Sequence, residues 1–143
     1  MIRIKESIEI SRPLAQVSAF MADLNNIPKW QAEVVTSTVT TTGPTRVGTL
    51  FTEKVKMGPM QTTAHCEVTE FVSDKLMAFT AKSSAISYEG RVLVEASGNG
   101  TKLTMQGSVQ PRGLWRLLEF MLAGEFKKGI KKELAAVKEI LEK

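Results

Sequence analysis

Apolar and polar residues alternate at the start of the chain. Ile2, Ile4, Ile8 and Ile10 fall on one parity and Arg3, Lys5, Ser7 and Glu9 on the other, the period of a strand with one buried face. Ser11-Arg12-Pro13 ends that strand. The fixed φ of proline suits a first helical turn, and Leu14, Val17, Phe20, Met21 and Leu24 follow it at helical spacing. Asp23 is placed to accept hydrogen bonds from the free amides of a next turn, with Pro28 expected to stop that turn before Trp30. Two short helices are therefore predicted, and a buried Trp30 would need a partner for its ring N–H.

From Glu33 to Gln110 the chain is rich in Val, Thr and Phe. Turn chemistry breaks it at Gly43-Pro44, Gly58-Pro59, Ser73-Asp74, Ser83-Ser84 and Gly98-Asn99-Gly100. Six strands are predicted, over 33–41, 48–57, 60–71, 76–83, 86–97 and 101–110, and the short connections make them antiparallel neighbours in a meander. Phe51, Val55 and Met57 share one face, as do Tyr88, Gly90, Val92 and Val94, and Leu103, Met105, Gly107 and Val109. After Pro111, residues 112–143 read as helix, with Leu114, Leu118, Leu122, Phe126, Ile130 and Leu134 a ladder in steps of four. Each such step advances the stripe by about 40°, so the early and late apolar faces diverge. Gly124 and Gly129 lie at the changeover and predict a break there: a short helix to Ala123, then a long amphipathic one with Phe126, Ile130, Leu134, Val137 and Leu141 inward.

Strand, two short helices, six strands and a terminal helix describe a single α+β domain over residues 1–143. The opening block, with Val17, Phe20, Met21, Asp23, Leu24, Pro28 and Trp30 in the order V-x-x-F-M-x-D-L then P-x-W, resembles the SRPBCC superfamily, also called START or Bet v 1-like. Its polyketide cyclase/dehydrase-like bacterial members are the nearest likeness. The resemblance implies the helix-grip fold: a strongly bent seven-stranded antiparallel sheet wrapped around a long C-terminal helix, with a mostly apolar cavity between them. Function would reside in that cavity.

Composition narrows the classes. The 143 residues are 43% hydrophobic and 24% charged, with no apolar run near the roughly 20 residues a bilayer crossing needs, so no stable membrane insertion is expected. MIRIKESIEI lacks the continuous apolar stretch of a signal peptide, and a cytoplasmic location is the expectation. Cys66 is the sole cysteine, which excludes an internal disulfide, and one His beside one Cys makes no metal-ligand set. No cofactor is expected. The net charge of +4 is largely local to Lys127, Lys128, Lys131 and Lys132 and reads as a solvated helix face. Without aromatic residues interleaved among basic ones, nucleic acid is not an expected partner.

The cavity implied by the resemblance would be lined by Trp30, Phe51, Val55, Phe79, Tyr88, Val92, Met105, Leu122 and Phe126. Met21, Met57, Met60, Met77, Met105 and Met121 either fill core or lend a pocket adaptable thioethers. Among polar residues, Glu53 shares parity with Phe51 and Val55, and Glu6 with Ile4 and Ile8; each either points inward or reaches water or an arginine such as Arg91 at an edge. Tyr88, the sole tyrosine, offers the best polar handle for a ligand. His65 is opposite in parity to Cys66 and Val68 and faces solvent if those face the core, so the adjacent His65 and Cys66 cannot form a thiolate–imidazole pair. The leading expectation is a binding or transport protein for a small hydrophobic or amphipathic molecule of lipid, polyketide or aromatic type. A second is a polyketide cyclase/dehydratase-type enzyme with Glu53, His65 or Tyr88 as proton shuttle. A third is a non-catalytic accessory or interaction module with a cavity too small for a ligand. The sequence fits a homodimer as well as a monomer.

Overall fold

Pro13 marks the corner between strand β1 (Ile2–Ile10) and helix α1 (Leu14–Ala22). The computed structural model describes the backbone of residues 1–143 and every side chain but that of Met57. After α1, Asp23 accepts a hydrogen bond from the Asn25 amide at 3.1 Å and caps a 3-10 turn, Leu24–Asn26, which runs into α2 (Ile27–Trp30). Pro28 sits in the first turn of α2. It therefore starts that helix rather than stopping the preceding turn, because its missing N–H is one that a first turn leaves free anyway.

The remaining strands are β2 (Val34–Val39), β3 (Leu50–Met57), β4 (Met60–Val72), β5 (Leu76–Lys82), β6 (Ile86–Ser97) and β7 (Gly100–Pro111). They form one seven-stranded antiparallel sheet in the order β1-β7-β6-β5-β4-β3-β2. The expected meander is present, with boundaries close to those predicted. β2 is the shortest against expectation, since the Thr40 and Thr41 amides both turn to the Leu50 carbonyl, at 2.9 and 3.4 Å, and leave the ladder. Register shifts at Val34/Thr36 and Val68/Glu70 add the local twist that bends a sheet. One row crosses all seven strands on the concave face: Val39, Phe51, Cys66, Ala81, Tyr88, Val109 and Ile2.

The predicted break at Gly124 and Gly129 is absent. A 3-10 turn, Gly113–Leu118, leads into one continuous helix α3 (Glu119–Glu142), so the transition falls five residues or more before either glycine. The drifting stripe is resolved by exposure: Leu114 and Leu118 are 83% and 42% exposed, while Ile130, Leu134, Val137 and Leu141 are buried. The closest backbone neighbour of α3 is β1, with α2 and β7 next. Its second half closes a core that includes Val17, Leu24, Phe51, Val68, Leu103 and Val137. No helix among the described residues is long and apolar enough to cross a membrane.

Candidate functional site

Because α3 packs toward the β1 side, its first half stands away from the middle of the sheet and leaves a cavity of about 470 Å³. Val55 and Glu53 from β3, Ala64 from β4, Ala81 from β5, Tyr88 from β6, Val109 from β7 and Ile4 from β1 form its floor. Leu122, Phe126, Ile130 and Glu133 of α3, with Trp115 of the preceding 3-10 turn, form its roof. Gln31 and Val34 close one side, and the exposed residues Glu33, Lys56, Gly58 and Glu125 mark the way out to solvent. A trough of about 620 Å³ on the outer face of the sheet is different in kind. It is bordered by solvated charges such as Arg3, Lys5 and Arg91, the last paired with Glu70 at 3.2 Å, and encloses nothing.

The floor owes its shape to two glycines paired across β6 and β7, Gly90 and Gly107. A Cβ on Gly107 would lie 2.7 Å from the Tyr88 hydroxyl, and one on Gly90 would lie 2.8 Å from the Tyr88 ring and from the Phe79 ring. Without those side chains the tyrosine ring lies along the sheet and its hydroxyl reaches across to β7. Phe79 stacks obliquely on Tyr88 at 5.8 Å between ring centroids, and Phe51 on Phe79 at 6.3 Å, which holds the rings in place. Burial pushes the Tyr88 hydroxyl well above the ordinary phenol range, helped by the negative charge of Glu133 and Glu53, so it stays protonated and is both donor and acceptor.

Two carboxyls face this space. Glu53 is 6% exposed; burial raises its pKa from 4.5 to about 7, and hydrogen bonding by the Cys66 thiol offsets only part of that. The same thiol lies 3.8 Å from the Ala64 carbonyl, and burial with the adjacent Glu53 carboxyl holds it firmly protonated. Glu133 is half-buried on α3 and borders the cavity. Desolvation first, then the charge of Glu33, raises it to about 8; the Gln31 amide opposes the shift and the charge of Glu53 adds to it. Glu53 and Glu133 thus sit on opposite walls as two groups that exchange protons near neutral pH. No set of three or more His, Cys, Asp or Glu side chains suited to a metal ion forms among the described residues.

Of the residues expected from sequence, Val55, Tyr88, Leu122, Phe126 and Glu53 border the cavity. Trp30, Phe51, Val92 and Met105 lie in the packed core, each 5% exposed or less, and Phe79 is wedged between Phe51 and Tyr88. Met21 and Met77 are core, Met60 is exposed, and the side chain of Met57 lies outside the described ones. The Trp30 ring N–H, for which a partner was expected, is buried without one. His65 is exposed on the outer face opposite Lys82. Glu6 is half-buried on β1, across from Met105, and Arg91 serves Glu70 rather than Glu6 or Glu53. Sequence reasoning missed Glu133, Gln31 and Trp115. Glu133 had a legible signal: it lies seven residues after Phe126, three after Ile130 and four before Val137, on the stripe that faces the sheet.

Solved structures share this architecture end to end. An aromatase/cyclase, Zhui, from a Streptomyces species matches with a TM-score of 0.84 and 12% identity, covering 98% of this chain and 93% of its own. A protein from Thermus thermophilus matches at 0.82 and 16%, covering 96% and 94%. A START superfamily protein from Mycobacterium smegmatis matches at 0.79 and 14%, covering 97% and 98%. No curated protein sequence matches significantly. The family model described as polyketide cyclase / dehydrase and lipid transport matches residues 1–142, and the chain belongs to that family.

Proposed function

We propose that this protein binds a small amphipathic molecule in the cavity between the sheet and α3. The observation that carries the reading is the cavity itself: about 470 Å³, walled mainly by aliphatic and aromatic side chains, with Glu53, Tyr88 and Glu133 among a few polar groups that line it, beside Gln31, Thr62 and Ser83. That is the composition of a small-molecule site, where apolar area supplies affinity and a few polar groups fix orientation. A purely accessory module with a filled core fits this geometry poorly. Each buried methylene contributes about 0.8 kcal/mol, so a ten-carbon body gains about 8 kcal/mol before association costs, which places dissociation constants near micromolar or weaker. Calorimetric titration with fatty acids, amines, quinones and polycyclic phenols, alongside solvent extraction of the purified protein and mass spectrometry of the extract, tests the reading. It fails if nothing binds below millimolar.

One observation favours a second reading, acid–base chemistry of the cyclase/dehydratase kind. Glu53 titrates near pH 7 on the same wall as the Tyr88 hydroxyl, the poise a carboxyl needs to take and return a proton at neutral pH. His65 plays no part in it, being on the opposite face of the sheet. Under this reading Glu53→Gln abolishes turnover of a model poly-β-ketone while the substrate still binds. Turnover that survives replacement of both Glu53 and Tyr88 rules the mechanism out.

A further inference from the structure

The charges around the cavity run against those of the chain as a whole. The protein carries 19 Lys and Arg against 15 Asp and Glu, yet the charged side chains at the cavity are Glu33, Glu53, Glu125 and Glu133, opposed by Lys56 alone. Glu33, Glu125 and Lys56 are exposed at the way out, where water screens them. Glu53 and Glu133 are inside. Glu53, more than nine-tenths buried, directs its carboxyl into the cavity from β3, and the weak Cys66 thiol is the one donor acting on it among the described residues. Ser37, its register partner on β2, leaves a buried hydroxyl oxygen with no partner either. The four ion pairs among the described residues involve neither Glu53 nor Glu133.

A buried carboxyl without a cationic or strong hydrogen-bonding partner is costly. Glu53 has only the weak Cys66 thiol and Glu133 only the neutral Gln31 amide, so each of these facing carboxyls lacks a cationic partner that a ligand could bring. Once the two carboxyls ionise, an anionic ligand would meet like charge and a neutral one would offer neither of them a counter-charge. We infer that the ligand of this cavity is an amphipathic cation, its apolar body against Val55, Val109, Leu122 and Phe126 and a protonated amine held between Glu53 and Glu133, within reach of the Tyr88 hydroxyl. This inference rests on the cavity being a ligand site and narrows what it accepts. Binding displaces the protons that the two carboxyls otherwise keep. Affinity for an amine therefore rises with pH as Glu53 and Glu133 ionise, in surroundings that include Cys66 from β4, Tyr88 from β6, Gln31 and Glu33 from the α2–β2 segment, Glu125 from α3 and Lys56 from β3.

The test is calorimetric titration of the full-length protein with decylamine, decanol and decanoate, each below its micellar threshold, at pH 6 and pH 8.5. Decylamine is expected to bind about tenfold or more tighter than decanol at pH 8.5, with decanoate weakest, as a charge-assisted pair inside a dry site implies. Buffers of different ionisation enthalpy should report proton release on amine binding near pH 7. In Glu53→Gln and Glu133→Gln the preference for amine over alcohol falls toward one. Should those variants fail to fold, proton release and the pH dependence of the unmodified protein decide the matter alone. Decanol or decanoate binding as tightly as decylamine overturns the cationic assignment and leaves the cavity as a ligand site. Failure of all three to bind overturns the cationic assignment, and if the quinones and polycyclic phenols fail as well the cavity reading falls with it.

Discussion

The two halves of the C-terminal segment both carry an apolar stripe and meet opposite fates. Between Ile130 and Leu141 the helix sets four residues into the core over β1. Between Gly113 and Phe126 it turns Leu122, Phe126 and Trp115 toward a cavity and leaves Leu114, Leu117, Phe120 and Met121 at 83, 76, 82 and 60% exposure. The difference shows that the pocket arises from a helix that packs at one end and stands off at the other. Apolar periodicity along the segment is continuous; contact with the sheet is not.

Stability should separate the halves first. Leu134→Ala, deep in the packed half at 2% exposure, is expected to cost about 2–5 kcal/mol in chemical denaturation, the range for a buried leucine that leaves a void. A cost under about 1 kcal/mol would mean the second half is less firmly packed than its burial implies.

The pH dependence sharpens the contrast, since the ionisable strain belongs to the cavity alone. Glu53 and Glu133 hold protons up to about pH 7 and 8 in the folded protein against 4.5 ordinarily. Between those values the folded state binds protons that the unfolded state has released, so the stability these groups contribute is full below about pH 4.5 and is lost as pH rises through 7 and 8. Melting temperature should fall from pH 5 to pH 8 at constant ionic strength. The slope should flatten in the Glu53→Gln, Glu133→Gln double variant, and an unchanged slope would place the two carboxyls in water.

Smaller effects belong to the stand-off half. At Gly129, on the cavity roof, an added Cβ meets nothing within 4 Å, so Gly129→Ala should stabilise by about 1 kcal/mol through helix propensity alone. Leu117→Ser, on the solvent side, should change stability by less than about 0.5 kcal/mol. A larger loss there on dilution would reveal that the exposed face is covered by something in solution.

Much of this architecture is legible in the sequence. The parity of Ile2 to Ile10, the punctuation at Gly43-Pro44 through Gly98-Asn99-Gly100 and the order of elements are local properties, and the seven strands follow them closely. The expected break at Gly124 is absent because the drift of the stripe does not require a bend that buries both faces. The protein leaves one face uncovered instead. Parity places Glu53 on the apolar side of its strand and leaves open whether its carboxyl points inward or reaches an edge; the fold buries it. The facing wall is not legible in the same way, because Glu133 stands among lysines and declares itself only by its spacing from Phe126, Ile130 and Val137.

By itself, then, the sequence determined the strands, their order, the side each residue faces and the helix that closes the fold, since backbone chemistry and the periods of strand and helix act over a few residues. Tertiary structure alone decided where α3 lifts from the sheet, which inward residues line space and which fill core, and that Glu53 and Glu133 face each other. Phe51 and Val55 share a strand and a parity, yet one is core and the other cavity wall. That distinction depends on the distance to α3, an element that begins more than sixty residues later in the chain, which no local period encodes.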